Sequence, residues 1–446
     1  MEEGRPSIID ADRNWRRFVL FRVLFNSRFY YPVLAVLFLD LGLSPTQYTL
    51  LNFAWAIAIV VTDVPAGVLA DRIGRKPLVV VATMCMVGEM ILLMSAPRNG
   101  GLALFLCCLA NRVLSGVAEG MASGADEALV FDSLAERNRS SQWPQVLDQV
   151  MRWQSVGMVI AMLVGGAVYD PQFMNHAAAI LGLTTHWDQG VTLRFPLYLN
   201  LLTAVAALVI VLGFREPSVK ESHAAPAETG HPETCANALE LVWSAGRWIR
   251  RTPVALFIIV GGFLLDGVVR LFLTFSSSYF RLIELPPASY GLIGAGLGAL
   301  GLVVSPIARR MVTRNSLIRN YVIIAVITLA SLVGVAFRWR FWGVVYMVPL
   351  GATMTVLGFM VSYYLNALVD SRQRATVLSF KGLAFNLGYG FISLLFAGVL
   401  RASKDGKSAE AALATGLDFL PLWLVLTLVL LTIGFWRHRS ALCGKF

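Results

Sequence analysis

The strongest constraint in this sequence is a series of apolar runs, each about as long as the ~20-residue helix needed to cross a bilayer. They fall at roughly 18–40, 47–68, 78–96, 102–124, 150–169 and 194–214, then 252–276, 288–308, 318–337, 341–364, 378–400 and 414–436, twelve in all. Composition agrees. Of 446 residues 57% are apolar and only 14% charged, against roughly 25% charged in soluble domains, so the excess apolar surface must face lipid. The expectation is an all-α integral membrane protein. Disorder, a collagen-like repeat and a secreted disulfide scaffold are excluded on the same numbers.

The formal charge of +10 raises the question of nucleic acid, and the placement of the basic residues answers it. Arg13, Arg16 and Arg17, then Arg72, Arg75 and Lys76, then Arg137, Arg139 and Arg152 precede alternate spans. The series continues through Arg247, Arg250 and Arg251, Arg309, Arg310 and Arg314, Arg372, Arg374 and Lys381, and ends at Arg437 and Arg439. Such alternation is the positive-inside pattern. It places both termini in the cytoplasm, with the chain in the cytoplasmic membrane, and leaves no need for a nucleic-acid partner. The polar segment Met1 to Arg17 lacks the features of a signal peptide.

A long polar stretch with Pro217, Pro226 and Pro232 divides the spans six to six. It reads as a flexible cytoplasmic linker over 216–250, between an N-terminal bundle (1–215) and a C-terminal one (251–446). His223, His231 and Cys235 fall in it at no metal-binding spacing. Cys85, Cys107 and Cys108 lie in apolar runs as small packing residues, Cys443 lies in the tail, and no CxxC occurs. No metal or cofactor is expected. The halves echo each other, Glu127-Ala-Leu-Val-Phe-Asp-Ser133 against Asn366-Ala-Leu-Val-Asp-Ser371, and internal repeats mark secondary transporters.

After the second run stands Gly67-Val-Leu-Ala-Asp71-Arg72-Ile-Gly74-Arg75-Lys76. Gly67 would permit close helix contact and Gly74 a tight turn, while Asp71 could cap the next helix or pair with Arg75. This segment resembles, nearly residue for residue, the loop signature of the major facilitator superfamily. The resemblance implies twelve transmembrane helices in two pseudo-symmetric six-helix bundles. It also implies a monomer, and a loop that latches a cytoplasmic gate; Asp126 and Glu127 are the partners expected for Arg72, Arg75 and Lys76. Alternatively those cations serve only as topology anchors. Two further segments are similar to family signatures. Arg112-Val-Leu-Ser115-Gly116 has serine in place of the usual glutamine, and the Gly157 to Gly166 stretch lacks the central Gly-Pro pair of proton-driven efflux pumps. Ser123 to Leu134 and Arg374 to Ser379 are similar to a broad group of bacterial facilitators.

An ionisable residue at bilayer depth is costly and a functional candidate by default. Here these are Arg22, Arg28, Asp63, Glu89, Arg112, Glu119, Asp266 and Arg270. The resemblance implies that spans one, four, seven and ten line the cavity, and six of these eight residues fall on them. Asp266 and Arg270, four apart, share a helix face; Arg112 and Glu119, seven apart, lie two turns along one face. An arginine that alternately engages and releases a carboxylate governs whether it holds a proton. Glu119 and Asp266 are therefore the candidate proton carriers, with Arg112 and Arg270 as modulators, against the alternative of fixed pairs that order packing. Arg22, Arg28, Tyr31, Tyr363 and Asn366 are candidate substrate-cavity residues, Phe29, Tyr30 and Tyr364 lie beside them, and Glu89 receives no role.

The function expected is secondary transport of a small organic solute by alternating access, coupled to protons, with efflux leading. Proton-coupled uptake of an organic anion is the alternative, supported by the excess of cavity arginine. A non-transporting membrane sensor is more remote. No nucleophile elbow, phosphate loop or HExxH appears, so an enzyme is not expected.

Overall fold

The computed structural model describes residues 8–98, 100–136, 139–216, 235–369, 374–403 and 408–435. Residues 217–234 of the expected linker, the first seven residues, the tail with Cys443, and the side chains of Asp71 and Arg374 lie outside the described residues. Every regular element among the described residues is helical. In chain order these are α1 (Ile8–Asn26), α2 (Leu34–Asp40), α3 (Pro45–Ile73), α4 (Arg75–Met94), α5 (Gly101–Ala122), α6 (Ala125–Ala135), α7 (Trp143–Tyr169), α8 (Pro171–Ile180), α9 (Gln189–Thr192) and α10 (Phe195–Leu212). They continue with α11 (Cys235–Arg251), α12 (Pro253–Thr274), α13 (Ser276–Leu282), α14 (Pro287–Arg314), α15 (Leu317–Ala336), α16 (Met347–Leu368), α17 (Arg374–Ala402) and α18 (Ala409–Phe435).

Among the described residues, ten stretches of helix are long and apolar enough to cross a membrane. The other two expected runs are helical as well. Residues 47–68 lie within α3, and 18–40 are split between α1 and α2 by an interruption. Pro32, just before α2, supplies no backbone N–H and disfavours helix at the residue before it.

The chain forms two compact units. One comprises Met1–Tyr31, Ala58–Pro97 and Leu102–Ala238; the other Pro32–Ile57, Arg98–Gly101 and Leu239–Phe446. In the first, α1 packs on α7 and α10, and α4 on α10 and α6. Its core gathers Phe18, Phe21, Val79, Met86, Leu129 and Val211. In the second, α12 packs on α17 and α18, and α15 on α18. The pairing pattern of the first unit thus recurs in the second, with α12 in the place of α1, α17 of α7 and α18 of α10.

Two boundaries differ from the expectation of a break at the linker. Residues 32–57 belong with the second unit because α13 holds them. Ser277 Oγ accepts the backbone N–H groups of Ala35 and Val36 at 3.1 and 3.2 Å, Tyr48 Oη donates to the Thr274 carbonyl, and Arg281 grips Asp40 with two parallel 2.7 Å bonds. Residues 235–251, most of which fall in the flexible linker expected over 216–250, form the helix α11. Val242, Ala245 and Ile249 recur at helical spacing, and Ala245 and Ile249 are buried.

Candidate functional site

Among the described residues, each unit holds an ion pair with a buried carboxylate inside a membrane-spanning helix, and in the first it is built around the interruption of the opening span. Backbone polar groups freed at membrane depth must find partners inside the protein. The Phe29 N–H donates to Asn200 Oδ1 at 2.9 Å. The Phe29 carbonyl lies so close to Gly165 that a Cβ there would collide with it. One of the span-five glycines thus serves close packing of α7 on the first span. The irregular backbone orients Arg28, whose guanidinium pairs with Glu89 of α4 and sits over the Phe25 ring at 5.4 Å. Their side chains are 4% and 0% exposed. The second carboxylate oxygen of Glu89 has no hydrogen-bond partner among the described residues. Asn111 of α5 donates to the Glu89 carbonyl at 2.7 Å, so α5 is tied to the same point.

Tyr31 lies within the electrostatic reach of Arg28, Arg112, Glu119 and Glu89. Three of the expected polar side chains thus lie within reach of one ring, together with Glu89, for which the sequence suggests no role. Arg112 is buried in α5, and Glu119 is exposed two turns along.

In the second unit Asp266 and Arg270 form the expected ion pair at 2.7 Å on α12. Arg270 also donates to Asn386 Oδ1 of α17 at 3.1 Å and stacks over Tyr389 at 5.4 Å. The Tyr389 hydroxyl lies 3.1 Å from Thr274 Oγ1. Lys381, read from sequence as a topology anchor, reaches into this region. It donates to Ser362 Oγ at 3.3 Å and lies within the electrostatic reach of Asp266. Asn366 donates to the Ser362 carbonyl at 2.8 Å. Tyr363 is exposed, its ring edge-on to Tyr364 at 5.4 Å, and Tyr364 accepts from Asn320.

The segment with the family-like signature has different partners from those expected. Gly74 does make the turn, with φ at +94° in the region that favours glycine. At Gly67, by contrast, the described residues leave open space where a Cβ would stand, with no close helix contact there. That contact occurs at Gly120, where an added Cβ would lie 3.0 Å from Thr62. Arg75 pairs with Asp132 and donates to the Ala128 carbonyl at 2.7 Å. Asp126 and Glu127 instead hold Arg22 of α1, the first at 2.9 Å. Arg22 is therefore engaged at the first turn of α6.

The cap of α4 comes from outside the segment. Glu216 accepts the backbone N–H groups of Arg75 and Lys76, each at 2.7 Å. Two donors at the positive end of a helix suit a carboxylate. Arg72 is exposed.

Comparison with known proteins places this architecture. No curated protein sequence matches the chain. Among solved structures, it is similar to the nucleoside transporter NupG (TM-score 0.71, 13% identity, covering 95% of this chain and 98% of that one). It is also similar to a bacterial homologue of the human lysosomal transporter Spinster (TM-score 0.70, 17% identity, 99% of each chain). A D-xylose–proton symporter aligns at a TM-score of 0.60 with 14% identity over 94% of this chain and 97% of its own. At such identities these likenesses establish the fold alone, all-α and shared with membrane transporters. The sequence model described as Major Facilitator Superfamily matches residues 18–393. The chain belongs to the major facilitator superfamily.

Proposed function

We propose that this member of a transporter family moves a small organic solute across the cytoplasmic membrane by alternating access, exchanging it for protons in the direction of efflux. The observation that carries the coupling is the Asp266–Arg270 pair. Asp266 has its cation one turn away at 2.7 Å, and that cation has a second acceptor in Asn386. Arg270 can therefore pass from the carboxylate to the amide, or to an incoming substrate, without being stranded. A carboxylate that loses its arginine takes up a proton more readily. Glu119 with Arg112 is proposed to act similarly in the first unit.

A second reading, proton-driven uptake of an organic anion, is favoured by the charge balance of the same region. Arg270 and Lys381 are two cations on one carboxylate, an excess that suits a carboxylate or phosphate on the solute.

The test is solute flux in proteoliposomes under pH gradients of either sign, after a growth-inhibitor panel has named a solute. Efflux by exchange predicts accumulation against an opposing proton gradient; uptake predicts movement with it. Asp266→Asn and Glu119→Gln should leave exchange at equal concentrations intact and abolish the response to the gradient. Gradient-indifferent flux in the unaltered protein would reject both readings.

A further inference from the structure

The stretch that joins the halves ends in a helix with an exposed stripe whose arginines have no ion pair or hydrogen bond among the described residues. In α11, Val242, Ala245, Gly246 and Ile249 share one side. Ala245 and Ile249 are buried, and a Cβ at Gly246 would lie 3.0 Å from the Phe380 ring of α17. The apolar side of the helix is thus used within its own unit. About 90–150° around the helix stand Trp243, Arg247 and Arg250, at i, i+4 and i+7, with Arg251 adjoining. All four are exposed, Trp243 at 70%. None of the three arginines has an ion pair or hydrogen bond among the described residues.

Position in the chain says what this stripe meets. Arg251 ends α11, Thr252 is extended, and Pro253 opens the membrane-crossing α12. Two residues span at most roughly 7 Å. The last turn of α11 is therefore held at the headgroup layer whatever the slope of the helix. Trp243 stands about 12 Å before Arg251 along the helix, so with α11 lying along the membrane surface its indole reaches the same layer, where indoles are favoured; guanidinium groups pair bidentately with phosphate. Juxtamembrane arginines gain from an anionic leaflet, whereas a zwitterionic one offers no net charge.

We propose that Trp243, Arg247, Arg250 and Arg251 form a binding site for anionic phospholipid, the indole seated in the interface and the three guanidinium groups on headgroup phosphates. The site lies outside both ionic centres and is independent of the transported solute.

The full-length purified protein in neutral detergent would be titrated with phosphatidylglycerol or phosphatidylcholine, and bound lipid counted by native mass spectrometry. Unaltered protein should retain phosphatidylglycerol in preference to phosphatidylcholine. Arg247→Gln/Arg250→Gln/Arg251→Gln should weaken phosphatidylglycerol retention on the order of a hundred-fold. The corresponding triple lysine variant, which keeps the charge, should retain most of it, and Trp243→Ala should lose part. Removal of the same charge elsewhere, by Arg309→Gln/Arg310→Gln/Arg314→Gln on α14, where no indole adjoins the arginines, should weaken retention at least about ten-fold less. Equal retention of the two lipids by the unaltered protein, or equal losses in the α11 and α14 variants, would overturn the assignment. Thermal unfolding in phosphatidylcholine nanodiscs checks that each variant is folded.

Discussion

The Arg28–Glu89 pair makes a stability prediction with a definite sign and size. Both side chains are shut away from solvent, so neither charge is screened by water when its partner is removed. Breaking a buried pair from one side typically costs about 3–5 kcal/mol, whereas replacing both members with apolar residues of similar volume is often neutral or better. Glu89→Met should therefore be strongly destabilising, because an arginine cannot shed its proton. Arg28→Met should be the milder of the two, since a stranded carboxylate can take one up. The double variant should return to within about 1 kcal/mol of the unaltered protein. The assay is a double-mutant cycle on unfolding free energy in mixed micelles, with expression and monodispersity as controls. Additive single effects would refute the reasoning. They would mean that the two charges are solvated independently in the folded protein.

Three further predictions follow from the packing. Gly165→Val should force α7 away from the Phe29 carbonyl and cost about 1–3 kcal/mol or more, read as a fall in unfolding midpoint; Gly67→Ala, with open space around it, should be tolerated or slightly stabilising. Glu216→Ala removes the acceptor of two helix-start amides and should cost about 0.5–2 kcal/mol, with faster hydrogen exchange at Arg75 and Lys76 as the specific signature. Arg281→Lys keeps the charge opposite Asp40 but loses the two-point grip; the pair is partly exposed, so the loss should stay below about 1 kcal/mol, measured by the unfolding midpoint.

What could be read from the sequence was whatever is encoded at short range. A membrane-spanning run announces itself by length, and the Asp266–Arg270 pair by four-residue spacing on one helix. The turn at Gly74 was legible for the same reason. Partners distant in sequence were not. Arg28 and Glu89 are 61 positions apart, and nothing local to either names the other. Asp126 pairs with Arg22, and Arg75 with Asp132, because several basic groups gather near the ends of the spans and only packing selects among them. Glu216 and α11 were hidden by composition. Their prolines, serines and glutamates mask one capping carboxylate and a short helical periodicity, although the recurrence of Val242, Ala245 and Ile249 was available. The break in the first span carried a signal too, in Pro32 beside three consecutive aromatic residues.

The two ionic centres differ in a way that bears on which of them can exchange protons. A proton carrier must meet water or a hydrated group during its cycle. In the first unit the Glu89 side chain is wholly enclosed, its cation 4% exposed. In the second, Asp266 is 7% exposed and Arg270 28%, and Lys381 lends a further cation at half-burial. The Glu89 pair therefore has the properties of a fixed structural contact, and Asp266 those of a group that solvent can reach through its partner. Carbodiimide separates these roles, because it reacts with protonated carboxyl groups that the reagent can reach. Peptide mapping after brief treatment should show Asp266 modified, faster at low pH and faster again in Arg270→Gln, with Glu89 untouched throughout. Modification of Glu89 at a rate comparable to Asp266 would show that solvent reaches the enclosed pair and would refute its role as a fixed contact.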